Sequence, residues 1–326
     1  MAQAAGVSIA TVSRALNGGA EINETTRAAV LRVAQDLGYV ASARGRGLVS
    51  GRTGTVAALI GSEHWPVFLN PFYGEVLAGV ELELEARGLA LLLSSLKRDA
   101  PLLDFAAAQR ADGLLVIGHG LPLPLLREMG RHLPVVLIDR AEEGFSSVTS
   151  EQRHASAALT RCLIERGCTR LAFLAEDLSN PNFHERFLGF RDALEEAGLP
   201  LNPEWVQAAA PRAGGGYTAL RRLLDAGEVP DGVVGANDPV ALEAIRALLE
   251  AGLRVPGDVQ VAGFDGLPDR LHLMSLTTMR VDRLELGRQG VRLLLEQPAT
   301  PRQVQLRPTL LPGASVRPVG GKGDPP

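Results

Sequence analysis

The apolar residues near the start of the chain recur every three to four positions, which predicts two short amphipathic helices. Ser8 is a suitable N-cap for the first helix, from Ile9 to about Asn17, and Asn23 is a suitable N-cap for the second. Gly38 is expected to end the second helix. The positions expected to be buried are Val12, Ala15 and Leu16 on the first helix and Val30, Val33, Ala34 and Leu37 on the second.

From Thr55 onward the pattern changes to short apolar runs separated by longer amphipathic stretches. Such runs are typical of buried strands in parallel sheets, and residues 71–87 and 185–197 are typical of the helices between them. This alternation predicts an α/β body with doubly wound parallel sheets. The chain has no apolar run of about 18 residues, so no membrane span is expected. The predicted strands lie in TVAALIG, LALLLSS, DGLLVIG, PVVLID, RLAFLA, DGVVGAN and VQVAGFD.

Charge is distributed unequally along the 326 residues, although the net charge is only −4. Residues 1–53 contain six arginines and three acidic residues, a balance of +3, so the remainder carries −7. A basic head on an acidic body indicates that the head alone meets a polyanion such as DNA. The start of the chain lacks the pattern of a secretory signal, and two cysteines, Cys162 and Cys168, are too few for a disulfide framework. These features favour a cytoplasmic protein.

Polar pairs follow three of the predicted strands. They are Asp139-Arg140, Asn237-Asp238 and Asp265-Gly266. Ligands of doubly wound sheets bind beyond the carboxyl ends of the strands, so these pairs are candidates for a ligand site. Asp139 with Arg140 is interpreted as a solvated ion pair or a ligand clamp rather than an acid/base couple.

Motifs of the common enzyme classes are absent from the sequence. It contains no GxxxxGK[ST], GxSxG or HExxH, and its six histidines are not spaced like metal ligands. We therefore expect no catalytic residues, no metal and no cofactor.

The segment GVSIATVSRALNG at 6–18, followed by NETTR at 23–27 and LGY at 37–39, resembles the headpiece of the LacI/GalR-type family of bacterial transcriptional regulators, which includes lactose, galactose and purine repressors. This resemblance implies a helix-turn-helix domain over residues 1–40 whose recognition helix enters the major groove of DNA. Family members usually have several more residues before the first helix. Met1 stands where a valine would be, so we expect that the start was assigned too late. By resemblance, Ile9, Ala10 and Arg14 would face bases, and Ser8, Thr11, Ser13 and Asn17 would contact the backbone or fix the helix.

Residues 41–53 match the family's hinge, with Ser42, Arg46 and Leu48 at the expected spacing. The resemblance implies a helix that forms on DNA, with Arg46 near phosphates and Leu48 wedged into the minor groove. Gly45 stands where alanine is usual, and Gly47 is a second poor helix former. Each glycine costs a helix about 1 kcal/mol, so this hinge helix is predicted to be about 2 kcal/mol harder to form. A flexible linker is the alternative interpretation.

Residues 54–326 resemble the family's effector-binding and dimerisation domain, a two-lobed type I periplasmic-binding-protein fold. The matching segments include NPFY at 70–73, PVVLIDR at 134–140 and GLRVPGDVQVAGFDG at 252–266. The resemblance implies an N-lobe of about 54–151 and 281–308 and a C-lobe of about 152–280 and 309–320. Ile117 stands where many relatives have a polar cleft residue. By position, the cleft would be lined by Phe72, Tyr73, Asp139, Asn182, Arg186, Asn237 and Asp265.

The resemblance implies a transcriptional regulator, more often a repressor than an activator. It would bind a pseudo-palindromic operator in double-stranded DNA as a homodimer, with a tetramer as the alternative assembly. Its effector would be a sugar or similar polar metabolite, because carboxylates and an arginine suit a polyhydroxylated ligand. The alternatives are a cytoplasmic sugar-binding protein with a non-functional DNA-binding head and an α/β enzyme. A binding protein serving a transporter would need a secretion signal.

Overall fold

The computed structural model describes residues 1–16, 22–38, 53–61, 70–95, 111–208, 214–268 and 274–318. The headpiece contains helices α1 (Ile9–Leu16) and α2 (Glu24–Asp36). Both predicted caps are confirmed: the backbone N–H of Thr11 donates to Ser8 Oγ at 3.1 Å, and that of Thr26 donates to Asn23 Oδ1 at 3.0 Å.

The small core of the headpiece is formed by Val12, Ala15 and Val30, with Leu16 packed against it. Ala34 is buried as expected, but the prediction that Leu37 is buried is wrong, since 57% of this residue is exposed. Leu37 follows the last residue of α2, so it no longer shares the buried face of the helix. Gly38 then adopts a left-handed conformation with φ +59°, which ends the helix as predicted.

The body contains two six-stranded sheets. In the first sheet the strand order is β11-β5-β4-β3-β1-β2, and every paired strand is parallel to its neighbour. Alternate residues of β1 point to opposite faces, and helices cover both faces, which explains the continuous apolar run TVAALI. The strands are β1 (Thr55–Ile60), β2 (Ala90–Ser95), β3 (Gly113–Ile117), β4 (Val135–Ile138), β5 (Ser146–Ser150) and β11 (Gln303–Leu306).

The second sheet has the order β12-β10-β9-β8-β6-β7. All its pairs are parallel except β10 with β12, which is antiparallel. Its strands are β6 (Leu171–Ala175), β7 (Val206–Ala208), β8 (Gly232–Gly235), β9 (Gln260–Asp265), β10 (Thr277–Arg280) and β12 (Thr309–Leu311).

Helices pack on both faces of each sheet. Helices α3 and α9 cover one face of the first sheet and α4 covers the other, while α5 and α6 lie opposite α7 and α8 on the second sheet. The described residues include no helix long and apolar enough to cross a membrane. The helices are α3 (Pro71–Glu85), α4 (Leu123–Gly130), α5 (Gln152–Ile164), α6 (Pro181–Glu196), α7 (Gly215–Asp225), α8 (Asp238–Glu250) and α9 (Arg283–Glu296).

The chain passes between the two sheets three times: between β5 and β6, between β10 and β11, and between β11 and β12. The carboxyl ends of the two sheets meet, since Asp139 follows β4 of the first sheet and the Asn182 Nδ2 from α6 donates to its carbonyl at 3.2 Å. All seven predicted strand runs form strands. Five strands, β5, β7, β10, β11 and β12, were not predicted, because segments such as SSVTS lack a continuous apolar run.

Helix α6 begins four residues before the predicted start at residue 185. Asn180 caps this helix through a hydrogen bond from the Asn182 N–H at 2.9 Å, and Pro181 occupies its first position. An asparagine cap followed by proline is a known helix start, so this boundary could have been predicted from the residues. The earlier start places Asn182 and Arg186 one turn apart on the same helix.

Candidate functional site

Arg186 is the centre of a polar cluster between the two sheets. Only 3% of this residue is exposed. Its Nε donates to Gln152 Oε1 at 2.7 Å, its Nη1 donates to the Ala236 carbonyl at 2.5 Å, and its Nη2 lies 2.9 Å from Asp265 Oδ1. The guanidinium carbon lies 3.8 Å from the centroid of the Phe264 ring, a close cation–π contact. The guanidinium is therefore held by acceptors of the protein itself, and it offsets part of the negative charge around it.

Asp139 and Asp265 stand at strand ends with unusual backbone conformations. Their φ angles are +60° and +108°, in a backbone region that residues other than glycine rarely adopt. Both residues are buried. Oδ1 of Asp139 accepts no hydrogen bond from any residue that the structure describes, whereas Oδ1 of Asp265 lies 2.9 Å from Arg186 Nη2 in an ion pair that lacks hydrogen-bond geometry. Strained backbone and unsatisfied buried acceptors at one place are typical of functional sites rather than of a packed core.

The electrostatics of this cluster favour protonated carboxyl groups. Burial raises the pKa of Asp139 to about 7, and the nearby Asp265 raises it further against the opposing effect of Arg186. Burial also raises the pKa of Asp265, again opposed by Arg186. The pKa of the Tyr73 hydroxyl is raised by its burial and then by Asp139 and Asp265, which indicates that this hydroxyl lies close to both carboxylates. One arginine among several acidic groups makes the cluster a strong acceptor of hydrogen bonds.

A cavity of about 700 Å³ adjoins this cluster. Asn182 and Gln152 belong to its walls and also contact Asp139 and Arg186, so the cavity lies next to the cluster. His119 also lines it, and burial together with Arg140 lowers the pKa of its imidazole. The remaining lining residues come from the chain crossings between the sheets and from helices α5 and α6, and they include Ser150, Glu151, His154, Glu185 and Arg307.

The predicted cleft residues do not all reach this site in the same way. Tyr73, Asp139, Asn182, Arg186 and Asp265 come together as expected. Phe72 packs in the hydrophobic core and meets the Tyr73 ring edge-on, with centroids 5.8 Å apart. The Asn237 side chain caps helix α8 by accepting from the Val240 N–H at 2.9 Å, and its Nδ2 donates to Glu176 at 3.3 Å. Ile117 is fully buried in the core.

The interpretation of Asp139 with Arg140 as a solvated ion pair or ligand clamp is wrong. Arg140 is buried, and its Nη2 lies 2.6 Å from Glu142 Oε1. Its Nη1 donates to the Leu121 carbonyl at 2.5 Å. Arg140 therefore fixes the loops that follow β3 and β4, and the carboxylate of Asp139 is left to the ligand site.

Three residues of the site were missed at the sequence level. Gln152 orients Arg186, His119 lines the cavity, and Arg283 donates to the carbonyls of Asp265 and Gly266, the latter at 3.1 Å. His119 follows β3, so the strand-end rule could have found it. Gln152 and Arg283 are distant in sequence from their partners, and only the folded topology brings them there.

The headpiece presents the face of α1 that the sequence predicts. Ile9 is 80% exposed, and Ala10 and Arg14 are exposed beside it. The hydroxyl groups of Ser8 and Thr11 lie 2.9 Å apart, so these two residues fix the start of the helix. Of the other proposed DNA contacts, Ser13 lies half-buried on α1, and Asn17, Arg46 and Leu48 fall outside the described residues.

No group of three histidine, cysteine or acidic side chains within the described part of the chain is arranged to hold a metal ion. Cys162 and Cys168 are buried free thiols that form no disulfide with each other. Burial raises the pKa of the Cys168 thiol to about 12. These cysteines behave as small buried residues, as the sequence indicates.

Comparison with known proteins supports both parts of this architecture. Residues 1–42 match the family model for bacterial regulatory proteins of the lacI family, and residues 160–316 match the model for a periplasmic binding protein-like domain. The HTH-type transcriptional repressor PurR of Haemophilus influenzae strain PittEE is 33% identical over 306 residues, which cover 91% of this chain and 89% of PurR. The chain belongs to the LacI family of bacterial regulatory proteins.

Solved structures of this family share the fold. A complex of the transcriptional regulator CelR with cellobiose is 30% identical, covers 96% of this chain and 98% of its own, and has a TM-score of 0.72. The lac repressor dimer bound to operator and the anti-inducer ONPF has a TM-score of 0.83 at 24% identity, covering 96% and 97% of the two chains. This LacI-family protein is a transcriptional regulator, and its relatives are regulators rather than enzymes, which confirms the expectation from the missing catalytic motifs.

Proposed function

We propose that this regulator is a repressor that binds a pseudo-palindromic operator as a homodimer and is switched by a polyhydroxylated small molecule, such as a sugar, between its two lobes. We assign residues 1–40 to the headpiece, 41–53 to the hinge and 54–326 to the effector-binding and dimerisation domain. The observation that carries the proposal is the cluster of Asp139, Arg186 and Asp265, which joins carboxyl groups from the strand ends of both sheets beside a cavity.

The chemistry of the cluster supports a ligand rich in hydroxyl groups. An Asp139 oxygen that accepts no hydrogen bond from the described residues, together with the Asp265 carboxylate, offers acceptors to hydroxyl donors. The Tyr73 hydroxyl lies near them and is able to donate or accept. A CelR complex with 30% identity contains cellobiose, and this likeness favours a sugar for the present chain as well.

The headpiece supports DNA recognition by α1. A recognition helix needs small side chains to approach the major groove and a few groups that reach base edges. Ile9 and Ala10 suit contacts with a thymine methyl group or with groove shape, and the exposed Arg14 suits a bidentate contact with guanine. A dimer reads two such half-sites, and its two-fold symmetry matches a pseudo-palindrome.

The test of the proposed function is a footprint of the purified full chain on the DNA upstream of its own gene, at low and at physiological salt. Protection of a palindrome, with a dimer seen by analytical ultracentrifugation, supports the proposal. Sugars are then screened as probes, beginning with cellobiose, for a change in operator occupancy. Sugar binding without protection at any salt would favour the alternative, a ligand-binding protein with a non-functional DNA-binding head.

The Arg14→Ala variant separates base recognition from phosphate binding. If Arg14 contacts a guanine, the variant loses about 1–3 kcal/mol of operator affinity and no longer discriminates at one base pair. Arg32→Ala is the matched control, because Arg32 is an exposed arginine on α2 of the same headpiece. Binding measured on a set of single-base operator variants decides the point. An equal loss on every sequence would contradict the guanine contact and mark Arg14 as a phosphate contact.

A further inference from the structure

We propose that Arg283 is a positioning residue that couples the Asp265–Gly266 segment of the ligand site to helix α3 in the other lobe, through an ion pair with Glu75. This inference rests on the proposed function, because it describes how the effector site communicates with the remainder of the regulator. It assigns the coupling to one buried side chain whose contacts span both lobes.

The contacts of Arg283 come from two separate parts of the fold. Arg283 is the first residue of α9 and only 3% of it is exposed. Its Nη2 lies 2.8 Å from Glu75 Oε2, and its Nε donates to the same oxygen at 3.1 Å. Its Nη1 donates to the Asp265 carbonyl, and its Nη2 donates to the Gly266 carbonyl at 3.1 Å. One guanidinium thus binds α3, which covers the first sheet, and the strand end of β9 in the second.

The segment held by Arg283 is the same one that presents its carboxylate to the ligand site. Arg186 contacts the Asp265 side chain from the ligand side, while Arg283 holds the Asp265 backbone carbonyl. Gly266 has φ +68°, and a Cβ at this position would lie 2.7 Å from the Arg280 backbone, so no other residue fits. A displacement of Asp265 therefore moves the Asp265–Gly266 segment, whose carbonyls accept hydrogen bonds from Arg283.

Glu75 connects this segment to the site's other wall. It lies on α3 two residues after Tyr73, whose hydroxyl has a pKa raised by burial and then by the charges of Asp139 and Asp265. The Glu75 carboxylate is half-buried, whereas its partner Arg283 is fully enclosed. Loss of the Glu75 charge would leave the buried guanidinium with two carbonyl acceptors and without its ion-pair partner, which is costly and favours rearrangement.

A second ion pair joins helices α3 and α9 away from the ligand site. Glu83 of α3 accepts two hydrogen bonds from Arg292 of α9, at 2.7 and 3.0 Å, and has no contact with the ligand site. Helices α3 and α9 also pack closely without Arg283, since a Cβ at Gly287 would lie 2.1 Å from the Val76 carbonyl. The Glu83–Arg292 pair is therefore the matched control: it joins the same two helices, and it does not reach β9.

The experiment is hydrogen–deuterium exchange of the full-length protein and its Glu75→Gln, Arg283→Lys and Glu83→Gln variants. The reporters are the N–H groups of Gly266 and Leu267, which donate to Thr278 Oγ1 at 3.2 Å and Asp238 Oδ2 at 2.6 Å. We expect Glu75→Gln to accelerate exchange of these amides about threefold or more, although the substitution is in the other lobe. Glu83→Gln should accelerate exchange in α3 and α9 only.

Two results would overturn the inference. One is that the Glu75→Gln variant exchanges the Gly266 and Leu267 amides at the same rate as the unaltered chain. The other is that the Glu83→Gln variant accelerates exchange of these two amides as much as Glu75→Gln does. Because Glu75 is half-buried, its variant provides the test even if Arg283→Lys does not fold. A second readout is affinity for the operator fragment, which Glu75→Gln should change and Glu83→Gln should not. Failure of the unaltered chain to bind DNA would refute the proposed function, while the exchange experiment would still decide the role of Arg283.

Discussion

The Asp139→Asn substitution should remove a cost that ionisation of this buried carboxyl imposes on the folded protein. The pKa of Asp139 is raised from 3.8 to about 7, chiefly by burial. A carboxyl that holds its proton more tightly in the folded state has no such cost below pH about 4. The cost grows as the pH rises from about 4 to about 7 and then levels off. For one group with these values, the cost increases by about 2.5 kcal/mol between pH 5 and pH 8. An asparagine does not ionise and carries none of it.

The expected result is that Asp139→Asn gains stability relative to the unaltered chain as the pH rises from 5 to 8, by about 2.5 kcal/mol in the free energy of unfolding. Urea denaturation followed by far-ultraviolet circular dichroism and by tryptophan fluorescence measures this difference, and the buried Trp205 reports on the second sheet. Protein concentration must be constant across the series, since a dimer's stability depends on it.

Asp258→Asn is the control for this experiment. The side chain and backbone N–H of Arg254 hold the pKa of the exposed Asp258 at about 2, so its titration is complete well below pH 5. Any change in stability that it causes should be the same from pH 5 to pH 8. The reasoning about Asp139 would be refuted by a difference between Asp139→Asn and the unaltered chain that varies by less than about 0.5 kcal/mol over this range.

Three further predictions follow from packing and from the hinge. Arg186→Met should destabilise the body by about 3 kcal/mol or more in urea denaturation, because it leaves a buried carboxylate without its partner. Gly79→Ala should destabilise the body severely, since its Cβ would meet the Leu284 carbonyl at 2.0 Å, whereas Gly74→Ala on the same helix meets no atom within 4 Å and should be neutral or stabilising by thermal melting. Gly45→Ala should raise operator affinity about fivefold in a titration at fixed salt, and no gain would contradict the predicted hinge helix.

The local structure of the protein could be predicted where one short-range rule acts without competition. The caps by Ser8 and Asn23 depend on residues three positions away, and both form as predicted. The strand TVAALI is buried on both faces, so its composition alone identifies it. Strand β5, with the sequence SSVTS, lies in the middle of a polar stretch and forms because β4 and β11 pair with it on both sides. Its pairing partners, rather than its own apolar content, determine it.

The candidate site was predicted where strand ends determine it and missed where distant residues complete it. Asp139 and Asp265 were found by their positions after buried runs, and the structure brings both to one cluster. The same rule gave the wrong role to Arg140, whose partner Glu142 is only two residues away in the next loop. Arg283 and its partner Glu75 are 208 positions apart, so no spacing within the sequence indicates their contact.

The properties that make this cluster difficult to predict are the ones that suit it to switching. A packed core would satisfy its buried polar atoms and relax its backbone, yet Asp139 keeps an unsatisfied oxygen, and both Asp139 and Asp265 keep positive φ angles where the two sheets meet. This arrangement is less stable than it would be with donors present, so a bound molecule that supplies hydroxyl donors stabilises it by its own binding free energy. A ligand changes an equilibrium only through its different affinity for the two states, and acceptors contributed by both lobes provide such a difference. If Arg283 links the Asp265–Gly266 segment to α3, ligand binding at the cluster also stabilises one arrangement of the lobe that is connected to the hinge.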